Sequence, residues 1–208
     1  RGNVGKQFEK PKKLIRNYKK NMALDFSKIL VVGVSSRALF NLEVENEIFE
    51  NENIEAFRKY QLEHENVLLT EGTAFPLIKS LLKLNEIASK QIIEVVVMSR
   101  NSPETGVRVL KSMKHFNLPI TRWAFSGGEP LSPFIDAFDI DLFLSKDEVE
   151  VQKISDTSNC ATALIYAPPT DYLPEIDRVK FAFDADAVVF SEESEQIYKE
   201  KGIDAFHQ

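Results

Sequence analysis

Five short apolar runs rich in Val, Ile and Phe, at 29–34, 92–98, 120–125, 141–144 and 161–166, are the feature that most restricts how this chain can fold. Each has the length and composition of a strand. Between them, 75–88 places Leu77, Ile78, Leu81, Leu82, Leu84 and Ala88 at the three-to-four residue spacing of a helix, and 103–116 does the same with Val107, Val109, Leu110 and Met113. Pro103 suits a first helical turn, with Asn101 or Ser102 as its cap. Strands that alternate with helices are joined by crossovers, so the expectation is an α/β domain. It has a mainly parallel five-stranded sheet, helices on both faces, and any site at the strands' carboxyl ends. The segment 41–73 follows the first strand directly, and is expected to be a helical cap over those ends, a cover rather than a core.

A second feature is an internal repeat. Residues 35–57, SSRALFNLEVENEIFENENIEAF, lie over 185–206, ADAVVFSEESEQIYKEKGIDAF, with one residue inserted in the first copy. Phe40 pairs with Phe190, Ile48 with Ile197, Phe49 with Tyr198, Ile54 with Ile203 and Phe57 with Phe206. Both copies read as a strand followed by an acidic helix. The organisation that follows is a basic leader at 1–26, one whole repeat at 27–170, and the opening strand and helix of a second at 179–208, with the chain ending inside it.

The copies differ at two positions. The run FAFDADAVVF reads as one strand over 181–190 with Asp184 and Asp186 set into it, where the first copy has Val34 and Ser36. Aspartate is a poor strand former and an unpaired buried carboxylate is costly, so the pair marks a strand end opening on a site that holds a cation. Side chains two apart share a face of a strand, so a turn beginning at Asp186 must re-aim one of them. Val34 and Ser36 supply no such carboxylates.

Charge and composition exclude several classes. Net charge is −6, yet residues 1–20 carry eight Lys or Arg against one Glu, leaving a strongly acidic body. The basic leader lacks aromatic interleaving or a binding motif, so nucleic acid is not an expected partner. An acidic body that acts on phosphates does so through a bound metal. The sequence has no apolar stretch long enough for a membrane span and no signal-type apolar run at its start, and Cys160 is its single cysteine. That rules out intrachain disulfides and Cys-based zinc sites and suits a reducing cytoplasm. His64, His115 and His207 show no metal-ligand spacing.

The DxDxV pattern of Asp184, Asp186 and Val188 resembles the first motif of the haloacid dehalogenase-like (HAD-like) phosphohydrolases. AFDADAVVFSEESE, together with VSSRALFNLE, YQLEHEN, SRNSPETGVRVLKSMKHF, AFSGGEP and DLFLS, is similar to the type I cytosolic 5'-nucleotidase family over 27–208. The resemblance implies a HAD-like fold and a magnesium-dependent hydrolase of nucleoside 5'-monophosphates. Asp184 would be the nucleophile that forms an aspartyl-phosphate. Asp186 would act as acid and then base, and both would hold Mg2+. A homo-oligomer and a regulatory nucleotide are further expected partners.

Carried onto the first repeat, the resemblance puts its second motif at Ser99, a phosphate-binding position, followed by Asn101 at a helix start whose free amides favour anions. The same two residues also fit a plain strand end and helix cap. The lysine of the third motif falls near Leu131, and the paired acids of the fourth on Ser145 and Lys146, with Asp147 out of register. The first repeat thus reads as catalytically degenerate. The chain reads as the front part of a nucleotidase, because no second set of these motifs follows Asp186. The alternative is a non-catalytic HAD-like module for oligomerisation or regulatory nucleotide binding. Asp136, Asp139 and Asp141 are read as a solvated edge leading into the fourth strand.

Overall fold

The computed structural model describes residues 25–167, 182–183, 196 and 199–201. Strand β1, Leu30–Ser35, follows a short 3-10 turn at Phe26–Lys28 and leads into the one-turn helix α1, Ser36–Leu39. Helices α2, Glu43–Asn51, and α3, Ile54–Glu63, come next. The chain then runs through α4, Phe75–Ala88, β2, Ile93–Ser99, α5, Pro103–His115, β3, Arg122–Phe125, α6, Ser132–Ala137, β4, Leu142–Ser145, α7, Glu148–Thr157, and β5, Ala161–Leu164. The five strands form one sheet in the order β3-β2-β1-β4-β5, and every neighbouring pair is parallel.

Alternation along each strand sends side chains to opposite faces, and each face has its own core. Val32 and Val34 of β1, Val95 and Val97 of β2 and Leu144 of β4 pack with Phe75, Ile78, Leu81 and Leu82 of α4 and with Val109 and Met113 of α5. On the other face, Val31, Val96, Met98 and Phe143 meet Leu131, Ile135 of α6 and Ile154 of α7. All seven residues of β2 are buried, as an inner strand covered on both sides requires. The expected α/β sheet with helices on both faces is therefore present. The helices α1, α6 and α7 are additions to the sequence reading.

Helices α2 and α3 occupy the segment inserted after β1. The chain leaves and re-enters the domain through a narrow neck, where Phe40 and Glu71 form an antiparallel bridge and Gly72 N donates to Leu39 O at 2.9 Å. A Cβ on Gly72 would lie 2.6 Å from Ala38 O and 2.7 Å from Phe40 N, so only glycine lets these backbones approach. The insertion is more than a cover, since Leu42 and Leu69 at its two roots are buried in the core beside α4 and α5. It is fastened chiefly to α5. The buried Arg108 pairs with the buried Glu45 of α2, and its Nε donates to Val67 O at 2.6 Å. Leu69 N donates to Ser112 Oγ at 2.9 Å.

Asp136, Asp139 and Asp141 are exposed, as expected, but the middle of that stretch is a helix followed by a left-handed turn at Asp139, φ 54°. Asp141 also accepts from Val31 N at 2.8 Å, tying β4 to the start of β1. Ala182 and Phe183 carry no regular structure and Phe183 is exposed, so the strand expected over 181–190 is absent at these two residues. The basic leader up to residue 24, Asp184, Asp186 and most of the second repeat lie outside the described residues.

Candidate functional site

The carboxyl ends of four parallel strands and the underside of the cap enclose a cavity of about 560 Å³. Its floor is built by consecutive residues leaving each strand. Ser35 ends β1 and leads into Ser36 and Arg37, Ser99 ends β2 and leads into Arg100 and Asn101, Gly127 and Gly128 lie after β3, and Ser145 ends β4 with Asp147 just beyond it. Its roof comes from α2 and α3, with Glu45, Asn46, Phe49, Phe57, Arg58 and Gln61.

The hydroxyls on the floor are interlinked. Ser36 Oγ and Ser99 Oγ, both buried, are hydrogen-bonded at 2.9 Å, and Ser99 Oγ also accepts from Asn101 N at 3.2 Å. Ser35 Oγ accepts from Ala38 N at 3.2 Å and so caps α1. Ser145, also buried, accepts from Asp147 N at 3.1 Å, and Asp147 in turn caps α7 by accepting from Glu150 N at 3.0 Å. The loop after β3 is stitched to the loop after β2. Ser126 N donates to Ser99 O at 2.9 Å and Gly127 N to Asn101 O at 2.9 Å, with Gly127 at φ 66° and Gly128 at φ 98°. Glycine meets these positive angles without a Cβ penalty.

The sequence left Asn101 and Ser102 as alternative caps for α5. The structure gives that role to Ser102, whose Oγ accepts from Thr105 N at 3.4 Å. Asn101 is thereby released from capping, and its Nδ2 is buried without a hydrogen-bond partner among the described residues. Two residues that sequence reasoning passed over share this condition and also line the cavity, Arg37 through Nε and Gln61 through Oε1. Gln61 lies in the YQLEHEN stretch. Its signal was an uncharged polar residue on the inward face of an amphipathic helix.

Charges around the cavity are mostly paired off. Arg37 Nη2 donates to Glu43 Oε2 at 2.8 Å, and Lys146 Nζ donates to the other Glu43 oxygen. The Arg37 hydrogen bond, opposed by partial burial and joined by the Lys146 contact, pulls the Glu43 carboxyl down to about 2 from an ordinary 4.5. Arg58 pairs with Glu104 at 3.0 Å. Burial, with Asp147 beside it, pushes the Glu150 carboxyl above the usual range.

Glu43 gives a pH-dependent prediction. A carboxyl depressed in the folded state stabilises above its unfolded pKa and loses that contribution as pH falls through the folded one. The side chain is 42% exposed, so solvent screens the pairing and the effect is modest. Glu43→Gln should lower the melting temperature at neutral pH. The gap from the parent should begin to close below about pH 4.5 and vanish near pH 2. A gap that stays constant across this window would show that the pairing with Arg37 and Lys146 is not its source.

The positions that the resemblance assigns to a lysine and to metal-binding acids are occupied otherwise. Leu131 is buried at the cavity wall, Ser145 presents a hydroxyl, and Lys146 turns to Glu43. Among the described residues, no group of three or more His, Cys, Asp or Glu side chains could hold a metal ion. This cavity does not fit magnesium, a hard cation that needs several oxygen ligands in near-octahedral array. No helix among the described residues is long and apolar enough to cross a membrane.

Known proteins resemble this chain in sequence and in structure. A family model described as 5'-nucleotidase matches residues 22–208. Cytosolic 5'-nucleotidase 1B of Homo sapiens is 34% identical over 185 residues, which cover 86% of this chain and 30% of the relative. The chain thus spans about 30% of the length of that curated relative. Among solved structures, the HAD domain of the effector protein Lem4 from Legionella pneumophila is similar with a TM-score of 0.38 and 10% identity, over 69% of this chain and 88% of that one. An inactive mutant of the same domain gives a TM-score of 0.37 at 11% identity over the same shares.

Proposed function

The chain belongs to the 5'-nucleotidase family, and from that premise we propose that it carries the nucleophile of a magnesium-dependent hydrolysis of nucleoside 5'-monophosphates to nucleoside and phosphate. The observation that supports this reading is the contrast between the two repeats. Asp184 and Asp186 stand in the second where Val34 and Ser36 stand in the first, and Ser145 and Lys146 stand where the resemblance puts the first repeat's paired acids.

In the proposed reaction a carboxylate oxygen of Asp184 attacks phosphorus in line with the ester oxygen. The P–O bond to the nucleoside breaks as Asp186 gives its proton to the departing 5'-oxygen, leaving an aspartyl-phosphate and a free nucleoside. Asp186, now a carboxylate, takes a proton from water as that water attacks phosphorus, releasing phosphate and restoring Asp184. Asp184 and the backbone oxygen of Asp186 would hold magnesium, which supplies neutralisation of the charge that spreads over the transferring phosphoryl oxygens.

The same proposal places the activity in the cytoplasm, in a homo-oligomer. A second reading, a non-catalytic module that binds a regulatory nucleotide, is favoured by the unpartnered polar atoms of the first cavity and is compatible with the first. The test is phosphate release from AMP, IMP and their deoxy forms by the enzyme expressed from its natural gene, with and without magnesium. Release that requires magnesium is expected. Failure to hydrolyse every 5'-monophosphate offered would overturn the reading.

A further inference from the structure

The tip of the cap leaves an apolar helix face uncovered. Phe49 near the end of α2 and Ile54 at the start of α3 are 50% and 64% exposed, and both belong to the cavity lining, so they form its lip. Glu47, Glu50, Glu52 and Glu55 flank them in sequence, all exposed, and none makes an ion pair among the described residues. Elsewhere in the cap Glu43, Glu45, Glu63 and Glu65 each have a cation beside them. Arg58, close to the tip in sequence, is taken by Glu104 of α5.

Helix electrostatics make the tip less favourable still. Glu50 lies in the last turn of α2 and Glu52 is its C-cap, with no basic residue in that turn. The carboxyl end of a helix is the negative end of its dipole and favours cations. An apolar lip ringed by unpaired acids, two of them at the wrong end of a helix, is suited to a segment that brings both cations and apolar side chains.

The chain contains such a segment. Residues 1–20 carry eight Lys or Arg against one Glu, whereas 41–73 carry nine Glu against Arg58 and Lys59. We propose that the basic leader docks on the tip of its own cap through residues 6–16, with Lys6, Lys10, Lys12, Lys13 and Arg16 beside the four glutamates and Leu14 and Ile15 against Phe49 and Ile54.

The leader is long enough. It joins the domain at the amino end of the sheet, where the Arg122 guanidinium at the start of β3 lies 4.7 Å over the Phe26 ring. The tip is at the opposite end, beyond the six residues of β1 and the nine of α2, which laid end to end measure about 33 Å. The twelve residues from Lys13 to Asp25 can span about 40 Å. Exposed ion pairs are individually weak and screened by salt, so the docking depends on their number and on the apolar contact between them.

The test is zero-length cross-linking of the enzyme with a carbodiimide, which joins a lysine amine to a carboxylate in direct contact, read by peptide mass spectrometry on a mixture of unlabelled and 15N-labelled protein. Links from Lys6, Lys10, Lys12 or Lys13 to Glu47, Glu50, Glu52 or Glu55 are expected within one chain, falling several-fold as salt rises from about 0.05 to 0.5 M. Limited trypsin digestion gives a second reading. Replacing the four glutamates together by Gln should speed cleavage in the leader several-fold at low salt while leaving the melting temperature within a few degrees, because these side chains are exposed and unpaired. The proposal is overturned if leader lysines link mainly to other carboxylates or to none, or if the quadruple variant is cleaved at the parent's rate. Links found only between labelled and unlabelled chains would overturn it too, and would give the tip to the leader of a second copy.

Discussion

Asp184→Asn is expected to reduce phosphate release from AMP by about a thousandfold or more while leaving the melting temperature within a few degrees of the parent. An amide oxygen is a poor nucleophile toward phosphorus and carries no charge with which to hold a cation, so the substitution removes both proposed roles of the residue. The five-stranded sheet and both cores are completed within residues 25–167, so no described core contact depends on Asp184. Asp186→Asn should also be severe, because protonation of the departing nucleoside fails. An Asp184→Asn enzyme that keeps a tenth of the parent's activity would refute the assignment of the nucleophile.

The largest effect on stability is expected from Arg108→Leu. Arg108 and Glu45 are 7% and 5% exposed, and the guanidinium also serves Val67 O, so one side chain holds two parts of the insertion on α5. Removing it strands a buried carboxylate and a backbone carbonyl, at a cost of about 3–5 kcal/mol. Burial decides the magnitude. Arg58 and Glu104 also bridge the cap and α5, at 3.0 Å, but both are about half exposed and screened by solvent, so breaking that pair should cost far less. Urea denaturation of the two variants measures the difference. Replacing Glu45 as well, in Arg108→Leu with Glu45→Leu, should recover much of the loss, because two apolar side chains leave no uncompensated charge. Equal costs for Arg108→Leu and Arg58→Leu would mean that the buried pair does not anchor the cap.

Strands and long helices were legible in the sequence because each carries its own periodicity. The 75–88 reading matches Phe75–Ala88 at both ends, and the five strand readings differ from the structure by one or two residues at their boundaries. Helix α7 was not legible, because Glu148-Val149-Glu150-Val151 alternates like a strand and Ile154 is its single buried residue. Helices α1 and α6 span four and six residues, too few to establish a helical period.

The site was half legible. Ser99 and Asn101, named in the sequence as phosphate-binding candidates, lie on the cavity floor, but Arg37 and Gln61 gave no comparable signal. Their significance comes from what they do not touch once the cap closes over the sheet, a property of tertiary packing. Conversely, Asp184 and Asp186 are conspicuous in the sequence through the clash of two aspartates with an apolar run, although they lie outside the described residues.

The central claim is that phosphate passes through Asp184 and that the cavity of the first repeat takes no covalent part. Borohydride added during turnover of AMP by the enzyme in magnesium reduces an acyl phosphate to an alcohol, so a phosphorylated aspartate is read by peptide mass spectrometry as homoserine. The account predicts homoserine at position 184 alone. Homoserine absent from 184, a reduced carboxylate at Asp147 or Glu150, or a phosphorylated Ser36 or Ser99 would contradict it.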